Sequence, residues 1–114
     1  RSVSYQLEFP QEVVCQTMVS GGGYLDRLYA SCTGGFFELE PAYNYTGQTG
    51  RTSKGKLDFP QVFQQAHQID GFALDLMRDR PSPVSGEEGL RDMLVLDAIR
   101  QAMNSGERVA VKRV

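Results

Sequence analysis

Residues 80–103 constrain the fold more than any other part of the chain, because they join a stiff turn to a well-defined helix start. Pro81 and Pro83 disfavour helix for themselves and for the residues before them, so this approach must be extended. Ser85, followed three residues later by Glu88, has the spacing of a capping box, in which two side chains satisfy backbone donors of the first helical turn. The sequence therefore predicts a helix that begins just after Ser85.

The same helix has a mostly apolar face and a clear stop. Asn104-Ser105-Gly106 ends it, since glycine readily adopts the left-handed conformation that closes a helix. The face consists of residues that recur at helical spacing, namely Asp92, Val95, Leu96, Ile99, Ala102 and Met103. A second helical stripe runs from Val62 to Met77, so we predict two helices.

Alternating apolar and polar residues predict strands in the first part of the chain. Two strands separated by Pro10-Gln11 are followed by two more that turn at Thr33-Gly34-Gly35, and a short last strand is expected at 109–113. Glu38 and Glu40 fall on the polar side of the fourth strand. The predicted fold class is α+β, with a mostly antiparallel, open sheet, two helices on one face, and the other face available for oligomerisation.

Composition excludes several classes of protein. A chain of 114 residues with 40% hydrophobic residues, 23% charged residues and a net charge of −2 is typical of one globular domain, and its scattered cations do not favour nucleic-acid binding. No apolar run approaches the roughly 20 residues of a membrane span. Cys15 and Cys32 have no metal or redox spacing, so we expect buried free thiols and a cytoplasmic protein, with export of a precursor left open. The start at Arg1 suggests an excised fragment.

Several short motifs together resemble one enzyme family. They are Pro83-Val84-Ser85-Gly86-Glu87-Glu88-Gly89, Arg91-Asp92, Ala98-Ile99 and Gly35-Phe36-Phe37-Glu38-Leu39-Glu40-Pro41-Ala42-Tyr43. In this order they resemble the closing part of the glucose-fructose oxidoreductase / inositol dehydrogenase / rhizopine-catabolism (Gfo/Idh/MocA) family, and the resemblance covers most of the chain.

The resemblance implies that residues 1–114 are the C-terminal part of a substrate-binding and oligomerisation domain. The parent would be an NAD(P)-dependent oxidoreductase acting on a sugar or polyol, with NAD or NADP held by an N-terminal Rossmann domain that is missing here. The chain itself has no glycine-rich strand-to-helix turn, so we expect no catalytic, cofactor-binding or metal-binding residues in it and no turnover by it alone. A homo-oligomer formed through the open sheet face is the implied assembly.

Two groups of candidate residues follow. Residues 44–60 have no usable period and are expected to form a long loop; with the tyrosine that precedes it, this loop could hydrogen-bond a sugar or an anion through Tyr43, Tyr45, Arg51 and Lys54. The interface candidates are Tyr5, Val14, Met18 and Tyr29, although the alternation does not decide which set points outward. His67 is interpreted as a solvated or interface residue. An alternative function stays open: a non-catalytic α+β interaction module that docks through its sheet.

Overall fold

Residues 2–113 are described by a computed structural model, in which six strands precede two helices. All strand pairs are antiparallel. The predicted α+β class with an open sheet is therefore confirmed. The chain divides into two units, Arg1–Gly71 and Phe72–Val114. The strands are β1 Ser2–Glu8, β2 Val14–Ser20, β3 Leu28–Cys32, β4 Gly35–Leu39, β5 Gly50–Thr52 and β6 Gly55–Lys56; the helices are α1 Gln64–Met77 and α2 Gly86–Ser105.

Strands β1 and β2 form a separate two-stranded ribbon. Its turn is closed by a hydrogen bond from the Phe9 amide to the Val13 carbonyl at 2.8 Å, and Gln11 and Glu12 between them both have positive φ. The strands that were expected in one open sheet are therefore divided between two sheets, because the first two strands pair only with each other among residues 2–113.

The other four strands form one sheet in the order β3-β4-β5-β6. One face of this sheet is apolar, because the residues paired across β3 and β4 on that side are Leu28 with Leu39 and Ala30 with Phe37. The opposite face carries charged and aromatic side chains. Amphipathic alternation of this kind is typical of an antiparallel sheet with two different environments on its two sides.

Two of these strands lie inside the segment that was expected to be an irregular loop. Strands β5 and β6 form a small hairpin with Ser53 and Lys54 at its turn, and Thr52 pairs with Gly55. This hairpin lies close to Gly35, which has φ of 133° and whose missing Cβ would overlap the Ser53 hydroxyl. The prediction of an unstructured loop at 44–60 is therefore wrong for the second half of that segment.

Both predicted helices are confirmed, and the ends of α2 match the sequence signals. One half of the predicted capping box is formed: the Ser85 hydroxyl accepts a hydrogen bond from the Glu88 amide at 3.3 Å, whereas the Glu88 carboxylate pairs with Arg91 instead of returning to the Ser85 amide. Gly106 is left-handed, with φ of 72°, and its amide donates to the Ala102 carbonyl at 2.8 Å. The strand expected at 109–113 is not formed, so that prediction is wrong.

Few side chains are buried within residues 2–113. Ala98 in α2 and Glu38 in β4 are buried, and no residue of α1 is. The two cysteines are free, as expected, but both are exposed, so their predicted burial is wrong. The strands consequently present a large share of their apolar side chains at the surface.

Candidate functional site

A row of directly opposed residues crosses the four-stranded sheet. Tyr29 pairs with Glu38, Glu38 pairs with Arg51, and Arg51 pairs with Lys56. Paired residues of antiparallel strands project to the same side, so these four side chains share one face of the sheet. Phe36 lies on it as well, and its ring stacks on that of Tyr29 with the ring centres 5.7 Å apart. We call this side of the sheet the charged face.

Glu38 lies at the centre of the charged face and is 4% exposed. Arg27 donates a hydrogen bond from Nε to Oε1 of Glu38 at 2.5 Å, and Arg51 donates from Nε to the other carboxylate oxygen. Each guanidinium also lies over an aromatic ring: Arg27 over Tyr29 at 5.2 Å, and Arg51 over Phe36 at 5.6 Å. Because a buried carboxylate needs partners, the two arginines account for the burial of Glu38, and Glu38 in turn fixes their orientation.

The two arginines also change the acidity of Glu38. The hydrogen bond from Arg51 is the largest cause that holds the pKa of Glu38 below its ordinary value; burial acts in the opposite direction, and the hydrogen bond from Arg27 lowers the pKa further. The carboxylate is therefore ionised at neutral pH and has no proton to donate there. Glu38 acts in this arrangement as an anchor for two cations.

A cleft of about 660 Å³ opens on the charged face beside Glu38. Its size lies within the range of roughly 300–1,000 Å³ that small-molecule sites occupy. Hydroxyl groups, two glycines and both signs of charge line it. The lining residues are Glu38, Glu40, Thr49, Gly50, Arg51, Thr52, Ser53, Gly55 and Lys56.

The four loop candidates from the sequence are placed differently with respect to this cleft. Arg51 lies in β5 and lines the cleft, while Lys54 lies in the turn of the β5–β6 hairpin, where its amide donates to the Thr52 hydroxyl at 3.1 Å. Tyr43 and Tyr45 precede the hairpin and are 68% and 63% exposed. Only Arg51 of the four is therefore a cleft residue.

The segment that carries the two tyrosines is held by side chains from outside it. Asp26 accepts a hydrogen bond from the Tyr43 amide at 2.7 Å. Gln61 accepts from the Gly47 amide and donates to the Gln48 carbonyl, both at 3.0 Å. These contacts order a polar segment that lacks regular secondary structure, and they keep the tyrosine hydroxyls at the surface.

The four interface candidates do not share a face. In the β1–β2 ribbon, Tyr5 pairs with Thr17, whereas Met18 pairs with Ser4, so Tyr5 and Met18 point to opposite sides. Val14 points to the same side as Met18. Tyr29 lies on the charged face of the other sheet. The ribbon and the sheet thus present candidate contact residues on three separate surfaces.

The structure favours neither His67 nor the possible metal-binding side chains of residues 2–113 as a second site. His67 is exposed in α1, and its amide donates to the Phe63 carbonyl at 3.1 Å. Within this described part of the chain, no three His, Cys, Asp or Glu side chains are grouped so that they could hold a metal ion. The same residues include no helix with the length and apolar character needed to cross a bilayer.

No protein-family model, no curated protein and no solved structure matches the chain.

The central residue of the charged face was not identified as a site residue from sequence. Glu38 was expected on the polar side of a strand, and it does lie on that side, but its burial depends on one cation in β5 and one that directly precedes β3. Arg27 and Arg51 are 11 and 13 residues away from it in sequence. The only signal in the sequence is that the segments before and after β4 each carry an arginine, Arg27 and Arg51. This signal predicts no contact with Glu38 until the register of the strands is known.

Proposed function

We propose that the chain is the C-terminal part of the substrate-binding and oligomerisation domain of an NAD(P)-dependent oxidoreductase that acts on a sugar or polyol. In this proposal it supplies an assembly surface and part of the frame of the substrate site. The nucleotide-binding domain and the catalytic groups lie upstream. The chain alone then binds no nicotinamide cofactor and has no turnover.

The observation that carries the proposal is the exposure of apolar side chains on the strands. On β2, Val14 is 51%, Met18 56% and Val19 61% exposed. On β3 and β4, Tyr29 is 48% and Phe37 39% exposed. Val14 and Met18 lie on the same side of the ribbon. Apolar side chains that are exposed together on a strand are unfavourable in water and are typical of a surface that another protein covers. A second copy of the chain is the partner that the family resemblance implies.

The polar segment before the hairpin supports the substrate part of the proposal. The hydroxyls of Tyr43 and Tyr45 are exposed on a segment whose backbone is fixed by Asp26 and Gln61. Tyrosine has only two side-chain torsions, so hydroxyl groups carried on a fixed backbone can donate to and accept from the hydroxyls of a sugar or polyol at a modest cost in side-chain entropy. We assign these tyrosines to the rim of the substrate site of the assembled enzyme.

The test uses the complete reading frame that contains this chain. Its product is expected to bind NADH or NADPH, seen as a change in nicotinamide fluorescence, and to reduce NAD⁺ or NADP⁺ when sugars and polyols are supplied. The chain of 114 residues, assayed in parallel, is expected to do neither. Nicotinamide binding by the short chain would contradict the assignment of all cofactor determinants to the upstream region.

The second candidate function is a non-catalytic interaction module, and the same exposed strands favour it. The translated sequence upstream of Arg1 separates the two. A glycine-rich strand-to-helix turn, followed by a Glu-Lys-Pro-like motif, would support the oxidoreductase. An upstream sequence that lacks both of these features would favour the interaction module.

A further inference from the structure

The cleft on the charged face contains an electrostatic feature that the proposed function does not use. Arg51 and Lys56 are directly paired across β5 and β6. Directly opposed residues of antiparallel strands have Cβ atoms about 5 Å apart, and like charges in that position destabilise the pair. Both side chains line the cleft.

The two cations have unequal partners within residues 2–113. Arg51 is bound to Glu38 through Nε, and no other residue there is hydrogen-bonded to its guanidinium. Lys56 forms no ion pair with any carboxylate of that part of the chain. The Arg51 side chain is 63% exposed, so its terminal nitrogens are open to a ligand from solvent.

The orientation of Arg51 is fixed before any ligand arrives. Glu38 holds Nε from one side, and the ring of Phe36 lies beneath the guanidinium at 5.6 Å. A guanidinium held in this way presents its two terminal nitrogens as a planar fork, and such a fork matches the two oxygens of a carboxylate or phosphate. Little side-chain entropy is lost when a ligand binds to it.

The carboxylates nearby do not cancel this positive site. Glu38 is already paired with two guanidinium groups, and Glu40, which is 64% exposed, lies 4.0 Å from Arg27. Three cations therefore face two carboxylates on this side of the sheet: Arg27, Arg51 and Lys56 against Glu38 and Glu40. One positive charge is left without a counterpart at the Arg51 and Lys56 end of the row.

We propose that Arg51 and Lys56 bind the oxyanion group, a phosphate or a carboxylate, of a small molecule that occupies the cleft on the charged face. The anion would lie between the two cations and relieve their repulsion, and Ser53 and the open backbone at Gly55 border the same space. The site is built by strands β4, β5 and β6 and the residues next to them, and it does not depend on the redox role proposed above.

The test is a titration of the ¹⁵N-labelled chain, followed by its amide resonances. Inorganic phosphate and acetate are added separately at constant ionic strength, with sodium chloride as the reference. Saturable shifts at Gly50, Thr52 and Gly55 are expected with at least one of the two oxyanions. Saturation by phosphate alone supports a phosphate ligand, by acetate alone a carboxylate ligand, and by both an oxyanion of either kind. Shifts no larger than those of chloride would overturn the proposal.

Variants separate a specific site from general charge attraction. Arg51→Gln is expected to weaken oxyanion binding by about tenfold or more, since a bidentate charge-assisted contact is lost. Lys56→Gln, on the exposed edge strand, is expected to weaken it as well and does not disturb the buried Glu38. Arg91→Gln removes one positive charge from α2, outside the cleft, and should leave binding unchanged. An equal loss in Arg51→Gln and Arg91→Gln would overturn the proposal.

Discussion

The contact between the β3–β4 turn and the β5–β6 hairpin makes Gly35 the most informative position for a stability measurement. An alanine there would adopt φ of 133°, a region that side chains avoid, and its Cβ would overlap the Ser53 hydroxyl and lie 3.1 Å from the Ser53 Cβ. Backbone strain of this kind costs about 1–3 kcal/mol, and overpacking adds about 1–3 kcal/mol. We therefore expect Gly35→Ala to lower the free energy of unfolding by about 3 kcal/mol.

The two contributions can be separated by a double-mutant cycle. Ser53→Ala removes the hydroxyl, so Gly35→Ala in that background should cost about 1 kcal/mol less than in the natural chain, because mainly the backbone strain is left. Gly34→Ala is the matched control. No atom lies within 4 Å of the position its Cβ would take, and we expect a change within about 0.5 kcal/mol.

Urea unfolding followed by far-UV circular dichroism measures all four variants and the natural chain. The reasoning would be refuted if Gly35→Ala cost the same in both backgrounds, since the hairpin would then not approach Gly35. It would also be refuted if Gly34→Ala were as destabilising as Gly35→Ala, since the effect would then come from the loss of glycine in the turn rather than from the position of its Cβ.

Three further predictions concern α2, Glu38 and the sheet surface. Ser85→Ala should lower the free energy of unfolding by about 1 kcal/mol in urea, because it removes the N-cap hydrogen bond; no change would contradict the cap. Because the pKa of Glu38 is lowered in the fold, its ionised form stabilises the fold at pH values above its ordinary pKa of 4.5, and this stability is lost as the pH falls through the lowered pKa. Glu38→Gln should therefore make the free energy of unfolding less dependent on pH in the acid range, whereas Glu40→Gln should not. Tyr29 is 48% exposed, so its burial by a second copy of the chain would remove about 100 Å² from water and contribute about 2 kcal/mol to association. Tyr29→Ala should therefore weaken self-association by more than tenfold in sedimentation equilibrium, whereas Tyr45→Ala should leave it unchanged.

The helix α2 could be predicted from sequence because its determinants are local. The predicted apolar face is displaced, since Leu96 and Met103 are 55% and 58% exposed and the buried residue, Ala98, was not assigned to it. The caps are predicted correctly: Ser85 caps the first turn and Gly106 closes the last turn. Each of these signals acts within a few residues and does not require knowledge of the rest of the fold. The general class, strands followed by helices, follows from the change of apolar period for the same reason.

The charged face could not be predicted, because it depends on which strands pair and in which register. Glu38 is buried only when β4 lies between β3 and β5, so that Arg27 and Arg51 reach it from both sides. The β5–β6 hairpin is short and polar, so its sequence lacks the alternation that marks a strand. Its turn at Ser53 and Lys54 carries no glycine between the strands, although Gly55 follows immediately.

Other errors have a related origin. The alternation at 109–113 predicted a strand, but a strand requires a neighbour with free hydrogen-bonding groups, and none is paired with this segment within residues 2–113. The cysteines follow the apolar alternation of β2 and β3, which indicates the side of the strand but not what covers it. Local pattern thus predicts the orientation of a side chain better than its burial.

The central claim is that the strands form an assembly surface for a second copy of the chain, and sedimentation velocity of the natural chain tests it most directly. The exposed apolar residues of β2, β3 and β4 predict a sedimentation coefficient that rises with protein concentration in the micromolar range and reaches that of a dimer or a larger assembly. A folded chain that sediments as a monomer over the whole range would contradict the claim.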